Sequence, residues 1–300
     1  MSSGNFSLAS KVKASIFLFV YLRNLPNGRL MPQIQLGLYM MSGREAKVAV
    51  RFGLAAGYRG FDSAQWYQNE KEAGQAIKQF LADSSENTEG LTREDIFFTS
   101  KLRSNSTSYD TVRKSIRQSV DACGLGYIDL FLLHSPYGGP EARLTSWKAL
   151  EDAIDEGEVK SGGVSNYGVS HIEELMASKP RITPTVNQIE VHPFNTQNEI
   201  RAVCAKYGIV VEAYAPLARA MRMKHPAIVE LSKKYSCTPA QLMPRWSLQH
   251  GLVPLPKSVK RERVVENVQI GGFEISDADM KKMDELDEKL VTDWDPTDAP

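Results

Sequence analysis

The feature that most constrains the fold of this chain is an alternation of short apolar runs with amphipathic stretches, which continues from residue 34 almost to the end. Each run has the length of a buried strand, and each following stretch has the spacing of a helix that buries one face. With no linker long enough to separate domains, the alternation predicts a parallel α/β barrel of the (β/α)8, or TIM, type. The eight strand candidates are residues 34–38, 59–64, 95–101, 127–134, 161–166, 185–190, 209–214 and 252–257.

Local signals predict where some of the helices begin. Ser42 and Glu45 form a capping box, so a helix is expected to start there. Pro244 lies inside the helical pattern of residues 239–248, where an interior proline costs about 3 kcal/mol, and it predicts a kinked or late-starting helix. The other helix candidates are residues 69–83, 108–122, 146–158, 170–178, 199–207, 227–235 and 261–269.

Charge and cysteine usage narrow the possible partners. Lys plus Arg number 36 and balance 36 Asp plus Glu, so there is no broad field to attract nucleic acid or an anionic membrane, and a small-molecule partner is expected. Cys123, Cys204 and Cys237 have neither metal-site nor CxxC spacing, which predicts a reducing compartment. Glycine-rich nucleotide fingerprints and the HExxH motif do not occur, so any nucleotide is held by other means and no metal is expected.

The N-terminal apolar run, residues 15–22, is too short for a membrane helix, which needs about 20 residues. Lys11 and Lys13 precede it as in a signal peptide, but no small-residue cleavage site follows. The sequence therefore predicts a cytoplasmic protein. Residues 1–24 are interpreted as an N-terminal extension with an apolar insertion, and residues 25–300 as a single domain.

Four polar residues lie at or just after the ends of three consecutive strand candidates, where a barrel of this type carries its catalytic groups. Asp62 closes the second candidate, Tyr67 follows it, and Lys101 and His134 end the third and fourth. A phenol with a pKa of about 10 is a poor acid near neutrality unless a cation favours its anion, and Lys101 is predicted to be that cation. Asp62 would keep Lys101 charged, while His134 would orient a carbonyl oxygen that Tyr67 protonates.

Each of these residues also has an ordinary structural interpretation. Asp62 can cap a turn, Tyr67 can line a wall, Lys101 can be solvated at a rim, and His134 can donate to a core carbonyl. Taken singly, those interpretations are favoured. Four such residues at neighbouring strand ends favour catalysis.

Seven stretches occur in an order and spacing that resemble the aldo-keto reductase family, over the chain from about Leu25 to the C terminus. The resemblance implies a monomeric barrel that reduces aldehydes or ketones with NADPH through Asp62, Tyr67, Lys101 and His134. Residues 24–32 match the β-hairpin that precedes the first strand and covers the barrel bottom. The matching stretches are residues 61–70, 99–102, 127–136, 162–168, 187–193, 213–218 and 255–267.

The resemblance also implies contacts to the nicotinamide half of the cofactor. Ser165, Asn166 and Gln188 match the groups that hold the carboxamide, and Tyr214 matches the aromatic that stacks on the ring. Ala215 replaces a serine common after that tyrosine, so Arg219 or Arg222 is expected to hold the pyrophosphate instead. Further cofactor contacts are implied for Gly37, Leu38, Asp62 and Leu217.

At the adenosine end, the resemblance assigns a clamp for the 2′-phosphate. Lys257 and Arg263 supply two cations for a phosphate that NADH lacks, so NADPH is expected to be preferred. Without the rest of the pattern, residues 257–263 would be interpreted as a solvated helix start. The remaining implied contacts are Ser258 and Val259 at the phosphate and Glu266 and Asn267 at the adenine.

Tyr39, Trp66 and Tyr137, with Tyr67 and His134, are expected to line an open pocket for small or flat carbonyl compounds. Two competing functions stay open. Lys101 can form a Schiff base in a lyase, although a paired Asp62 would keep it charged. The chain can also be a non-catalytic module that binds NADPH.

Overall fold

The computed structural model describes residues 22–300. Among them a two-stranded antiparallel hairpin precedes an eight-stranded sheet whose strands are all parallel and follow sequence order. The hairpin strands are β1 (Leu22–Asn24) and β2 (Leu30–Pro32). The sheet strands are β3 (Leu36–Gly37), β4 (Gly60–Asp62), β5 (Phe97–Leu102), β6 (Leu130–Leu133), β7 (Gly162–Ser165), β8 (Val186–Glu190), β9 (Val210–Tyr214) and β10 (Val253–Leu255).

Backbone hydrogen bonds bring the two edges of this sheet together. Gln35 N donates to Pro254 O over 3.2 Å, and Gly37 N donates to Pro256 O over 3.0 Å. The first strand thereby meets the last, which leaves a nearly closed barrel. The predicted (β/α)8 architecture and its eight strands are confirmed.

The N-terminal hairpin covers the bottom of the barrel, as expected. Leu25 and Met31 are buried in an apolar cluster with inward-facing residues at the amino ends of the strands, among them Phe97, Val186 and Val210. This cluster excludes water from the end of the barrel opposite the candidate catalytic groups. Because β1 begins at Leu22, residues 22–24 of the predicted extension form a hairpin strand, and the domain boundary itself stays a prediction. Residues 15–21 of the apolar run lie outside the described residues.

Helices cover the outside of the barrel, and none within residues 22–300 is long and apolar enough to cross a bilayer. Their bounds are α1 (Gly43–Ala56), α2 (Glu70–Ala82), α3 (Tyr109–Cys123), α4 (Gly139–Asp155), α5 (Val169–Ala177), α6 (Asn198–Lys206), α7 (Pro226–Lys234), α8 (Pro239–Gln249), α9 (Arg261–Val268) and α10 (Asp277–Asp284).

Several helix termini follow from local chemistry. The Ser42 capping box is present at the start of α1, and Gly57 ends that helix with a left-handed φ of 95°. Helix α4 begins at Gly139, seven residues before the predicted start, with Pro140 in its first turn, where a missing N–H is harmless. No sequence pattern predicted α10, since this short helix buries only Asp279, Met280 and Met283.

The predicted late start at Pro244 is wrong. Helix α8 begins at Pro239 and continues through Pro244 to Gln249. Thr238 and Gln241 form a capping box that starts the helix upstream, and Pro239 suits the first position. The Pro244 ring is buried, and the alternative of a kink stays a prediction.

Candidate active site

A fully buried lysine, Lys101, organises the carboxyl end of the barrel. Its Nζ donates hydrogen bonds to Asp62 Oδ1 over 2.6 Å, to Ser63 O over 2.9 Å and to Tyr67 OH over 3.2 Å. These three acceptors match the three donors of an ammonium group, and Asp62 balances its charge. The structure thus brings Asp62, Tyr67 and Lys101 into direct contact.

Tyr67 lies on a short 3-10 turn, Gln65–Tyr67, that is tied down on both sides. At the start of the turn, the Gln65 side-chain amide donates to Ser115 and Ser119 on α3. After it, the buried Asn69 accepts from Ser63 and donates to the carbonyls of Leu38 and Met41. The turn is therefore held between two strand ends and α3, which limits the positions available to the phenol.

The pKa of Tyr67 differs from the sequence-based expectation. Burial, followed by the charge of Asp62, raises the pKa of Tyr67 well above its ordinary value, whereas Lys101 was expected to lower it. The main physical reason is burial, which disfavours the charged phenolate, and the charge of Asp62 adds to it. The hydroxyl consequently keeps its proton throughout the physiological pH range.

His134 lies beside Tyr67, with ring centroids 5.8 Å apart in an edge-on arrangement. Burial, then the charge of Lys101, lowers the pKa of His134 to about 3. The imidazole is therefore neutral, and its Nδ1 is buried without a hydrogen-bond partner within residues 22–300. A neutral imidazole can donate through one nitrogen only, which suits it to orienting an oxygen rather than to supplying charge.

The residues predicted around the nicotinamide interlock in one cluster. Ser165 Oγ donates to Gln188 O over 2.8 Å, and Asn166 Nδ2 donates to His134 O over 3.0 Å. The Tyr214 hydroxyl donates to Asn166 Oδ1 over 2.9 Å. This chain of bonds joins the ends of β6, β7, β8 and β9. On the other side, Leu38 N donates to Asp62 O, which places the predicted backbone of Gly37 and Leu38 beside the same group.

The predicted phosphate clamp spans the loop before α9, which carries Lys257, and the first turn of α9, which carries Arg263. Lys257 and Arg263 are exposed there, and neither is ion-paired within residues 22–300. Val259 is also exposed, while Ser258 and Asn267 are buried and Glu266 is half-buried. Two unpaired cations at a helix N-terminus fit a phosphate dianion, since the helix dipole adds to their charge.

The loop after β9 is attached to the C-terminal segment. Arg219 Nη1 lies 2.9 Å from Asp293 Oδ2, and Arg222 Nε lies 2.7 Å from Glu288 Oε1. Both arginines expected at the pyrophosphate thus already have carboxylate partners, while Leu217 packs against the core. Ala215, Ala218 and Arg219 have left-handed φ angles of 46–47°, which are unfavourable for residues with a side chain.

Aromatic side chains line the mouth of the barrel. Tyr39, Trp66 and Tyr137 are 43%, 52% and 50% exposed, and Tyr39 stands 5.2 Å from Tyr67 between ring centroids. Trp66 lies under the Arg103 guanidinium, whereas Tyr137 contacts Trp294 in the C-terminal segment. The mouth is open enough to leave all three aromatic side chains accessible.

Two kinds of residue near this site were not predicted from the sequence. Trp294 and Asp293 belong to an irregular tail, where no periodicity marks them. Gln35 and Glu212 lie inside the barrel and connect through Gln188 to Asp62. A charged residue within the apolar run of residues 209–214 was the signal available for Glu212.

The barrel and the polar cluster at its carboxyl end define this protein as a (β/α)8 barrel with a buried Lys–Asp–Tyr site where such barrels carry their catalytic groups. The model of the aldo/keto reductase family matches residues 33–288, and the chain belongs to that family. The resemblance read from the sequence is confirmed.

Individual relatives support the same assignment. The chain is 46% identical over 276 residues to an uncharacterised oxidoreductase of Schizosaccharomyces pombe, covering 92% of this chain and 97% of that one. It is 38% identical to a glyoxal reductase of Bacillus subtilis, covering 87% and 91%. Among solved structures, a Bombyx mori aldo-keto reductase in complex with NADP has a TM-score of 0.84 at 30% identity, covering 92% and 95%.

Proposed function

We propose that this protein reduces aldehydes and ketones to alcohols with NADPH, and that Tyr67 is the general acid. The observation that carries the proposal is the Lys101 ammonium bound to both Asp62 and the Tyr67 hydroxyl at the open end of the barrel. Assaying the purified protein with NADPH against small aldehydes, sugars, α-keto compounds and glyoxal tests it. Turnover of at least one carbonyl class is expected, and no turnover in the whole panel would contradict it.

In this proposal each residue of the cluster has one task. NADPH supplies the hydride, and the chain supplies the proton. The Tyr67 hydroxyl donates its proton to the carbonyl oxygen, and a high pKa keeps that proton available until a strongly basic alkoxide develops. Lys101 then stabilises the phenolate, Asp62 keeps Lys101 charged, and neutral His134 orients the oxygen.

The residues present also fit the cofactor. Ser165, Asn166 and Gln188 would hold the carboxamide, and Tyr214 would stack on the nicotinamide. Gly37 and Leu38 would border the ring, and Leu217 would pack beside it.

The unpaired Lys257 and Arg263 would hold the 2′-phosphate, with Ser258 and Val259 beside them. Glu266 and Asn267 would contact the adenine.

Replacing Arg263 by Ala is expected to raise the KM for NADPH about 10–100-fold, because one charge-assisted contact to a phosphate is worth about 1.5–3 kcal/mol. The KM for NADH should change much less, since NADH has no 2′-phosphate. Steady-state kinetics with both cofactors measures the difference. Arg261→Ala, two residues earlier on the same exposed turn, is the matched control and is expected to have a smaller effect. Equal losses for both cofactors in R263A would show that the clamp is misplaced.

Replacing His134 by Gln is expected to lower kcat only about fivefold, since the Gln amide can still donate to the carbonyl oxygen and weakening one hydrogen bond costs about 1 kcal/mol. Because the pKa of His134 is about 3, its ionisation should produce no step in the wild-type rate between pH 5 and 8. A pH profile of both proteins checks this. A rate step near pH 6.5 that H134Q abolishes would contradict a neutral imidazole.

Two other functions are weaker. A Schiff-base lyase needs a free lone pair on Lys101, whose three donors are all engaged. Borohydride trapping of a carbonyl compound on Lys101 would favour the lyase. A non-catalytic NADPH-binding module would have no need of the assembled cluster of Asp62, Tyr67, Lys101 and His134, and binding of NADPH without any turnover would favour it.

We further propose that the protein is a monomer that acts in the cytoplasm. All three cysteines, Cys123, Cys204 and Cys237, are free thiols, in keeping with a reducing compartment. The exposed Tyr39, Trp66 and Tyr137 favour small or flat carbonyl substrates over one tightly enclosed ligand.

A further inference from the structure

A second carboxyl group, that of Glu212, lies in the interior of the barrel beneath the cluster already described. Glu212 is fully buried, and its Oε2 accepts from Gln188 Nε2 over 2.8 Å. The same Gln188 nitrogen donates to Asp62 Oδ2 over 2.9 Å. On the opposite side, Gln35 Nε2 donates to Glu212 Oε1 over 2.7 Å. Glu212 is thus one amide group away from Asp62.

The local sequence makes room for this arrangement. A Cβ on Gly60 would lie 2.5 Å from Gln35 Cγ, so the side chain of Gln35 occupies the space that any other residue at position 60 would fill. The carbonyl oxygen of Gln35, Oε1, is buried and has no hydrogen-bond partner within residues 22–300. Rotation of the Gln35 side-chain amide would place this oxygen against Glu212 Oε1, where it can accept a hydrogen bond from the neutral carboxylic acid.

The balance of buried charges determines whether Glu212 is a neutral carboxylic acid or an ionised carboxylate. Asp62 and Glu212 are two carboxyl groups, and the ammonium of Lys101 is the cation that faces them. Lys101 bonds Asp62 directly, whereas both partners of Glu212 are neutral amides. An ionised Glu212 would be an uncompensated buried charge next to Asp62, which is costly.

The polar groups that face Glu212 come from several strands around the barrel. Gln35 precedes β3, Asp62 ends β4, Lys101 lies on β5 and Gln188 lies on β8. On β10, the residue in register with Glu212 is the apolar Val253. Burial first, then the charge of Asp62, raises the pKa of Glu212 to about 8. The charge of Lys101 and the bonds from Gln188 and Gln35 oppose that rise without cancelling it.

We propose that Glu212 is a positioning residue that works as a neutral carboxylic acid: it accepts from Gln188 and so fixes the Gln188 amide against Asp62. With its nitrogen engaged by both carboxyl groups, the Gln188 amide presents its oxygen as the remaining polar atom. Under the proposed function, that oxygen faces the carboxamide of NADPH. Ionisation of Glu212 would place a second negative charge beside Asp62 and further raise the pKa of the Tyr67 phenol, which makes Tyr67 a poorer acid.

Thermal unfolding tests the neutral acid without reference to activity. The raised pKa means that folding retains a proton that the unfolded chain releases above its pKa of about 4.5. The stability that Glu212 contributes is therefore fully present below about pH 4.5 and is lost as the pH rises through about 8. Glu212→Gln does not ionise, and it can accept from Gln188 while donating to the carbonyl oxygen of a rotated Gln35 amide, as the neutral acid does. Its Tm relative to wild type is therefore expected to rise steadily from pH 5 to 8.

Glu151→Gln is the matched control for this measurement. Glu151 is also buried, but it accepts from Ile182 N over 2.9 Å and lies 3.6 Å from Arg181 Nε. With a cation and a backbone donor as partners, its Gln variant should gain no stability over the same pH range. A Tm difference for E212Q that stays constant or falls with pH would overturn the neutral acid.

Kinetics tests the positioning role, and this part rests on the proposed function. E212Q should keep kcat within about threefold of wild type at pH 7 and should lack the wild-type loss of rate near pH 8. Glu212→Leu, which cannot accept from Gln188, should raise the KM for NADPH and lower kcat by about tenfold, the value of one hydrogen bond. If E212Q is as impaired as E212L, the carboxylate is the working form, and if E212L equals wild type, there is no positioning role. Because wild-type turnover is measured alongside, failure of the proposed function remains distinguishable.

Discussion

Replacing Tyr67 by Phe is expected to lower kcat for carbonyl reduction by about 10²–10⁴-fold, the usual contribution of a general acid. The phenyl ring retains the contacts with Tyr39 and His134, so packing and NADPH affinity should persist. Only the proton and the hydrogen bond from Lys101 are lost. Steady-state kinetics, with cofactor affinity measured by fluorescence titration, separates the two effects.

Tyr39→Phe is the matched control for this variant. Its hydroxyl donates to Asp293 at the mouth of the barrel rather than to the lysine. Removing that hydroxyl is expected to change kcat only slightly. If Tyr67 were an aromatic wall residue, both Phe variants would behave alike.

Replacing Lys101 by Met is expected to lower kcat by about 10³-fold or more. A unit charge about 4 Å from a developing phenolate is worth about 4 kcal/mol at an effective dielectric constant near 20. The same change leaves Asp62 as an unpaired buried charge, so the free energy of unfolding should fall by about 3–5 kcal/mol. Chemical denaturation and steady-state kinetics measure the two losses.

A double variant separates the catalytic loss from the folding loss. Lys101→Met combined with Asp62→Asn removes both charges, so most of the lost stability should return. Activity should not return, because no cation then faces Tyr67. Recovery of turnover together with stability would mean that Lys101 only supports the fold.

The fold was predictable because its signal is local. Each strand of a parallel barrel is buried on both faces and appears as a short apolar run, and each helix shows its own periodicity. Asp62, Lys101 and His134 could be predicted for the same reason, since each is a polar residue at the end of such a run. A parallel barrel places the carboxyl ends of neighbouring strands together, which brings these residues into one site.

What the sequence could not reveal depends on contacts between distant segments. Gln35 and Glu212 are 177 positions apart, and only closure of the barrel brings them together. The raised pKa of Tyr67 likewise depends on burial and on the nearby charge of Asp62, which no sequence spacing reports. Asp293 and Trp294 reach the mouth through an irregular tail that has no period to detect.

The proposed function requires that Tyr67 transfers a proton while NADPH reduces a carbonyl. Single-turnover oxidation of bound NADPH, followed after mixing with an aldehyde that the wild-type protein reduces, tests it most directly because cofactor binding and product release are excluded from the rate. Rapid oxidation is expected in the wild-type protein, and oxidation at least about 10²-fold slower is expected in Tyr67→Phe with the cofactor fully bound. Near-normal oxidation in Tyr67→Phe would contradict it.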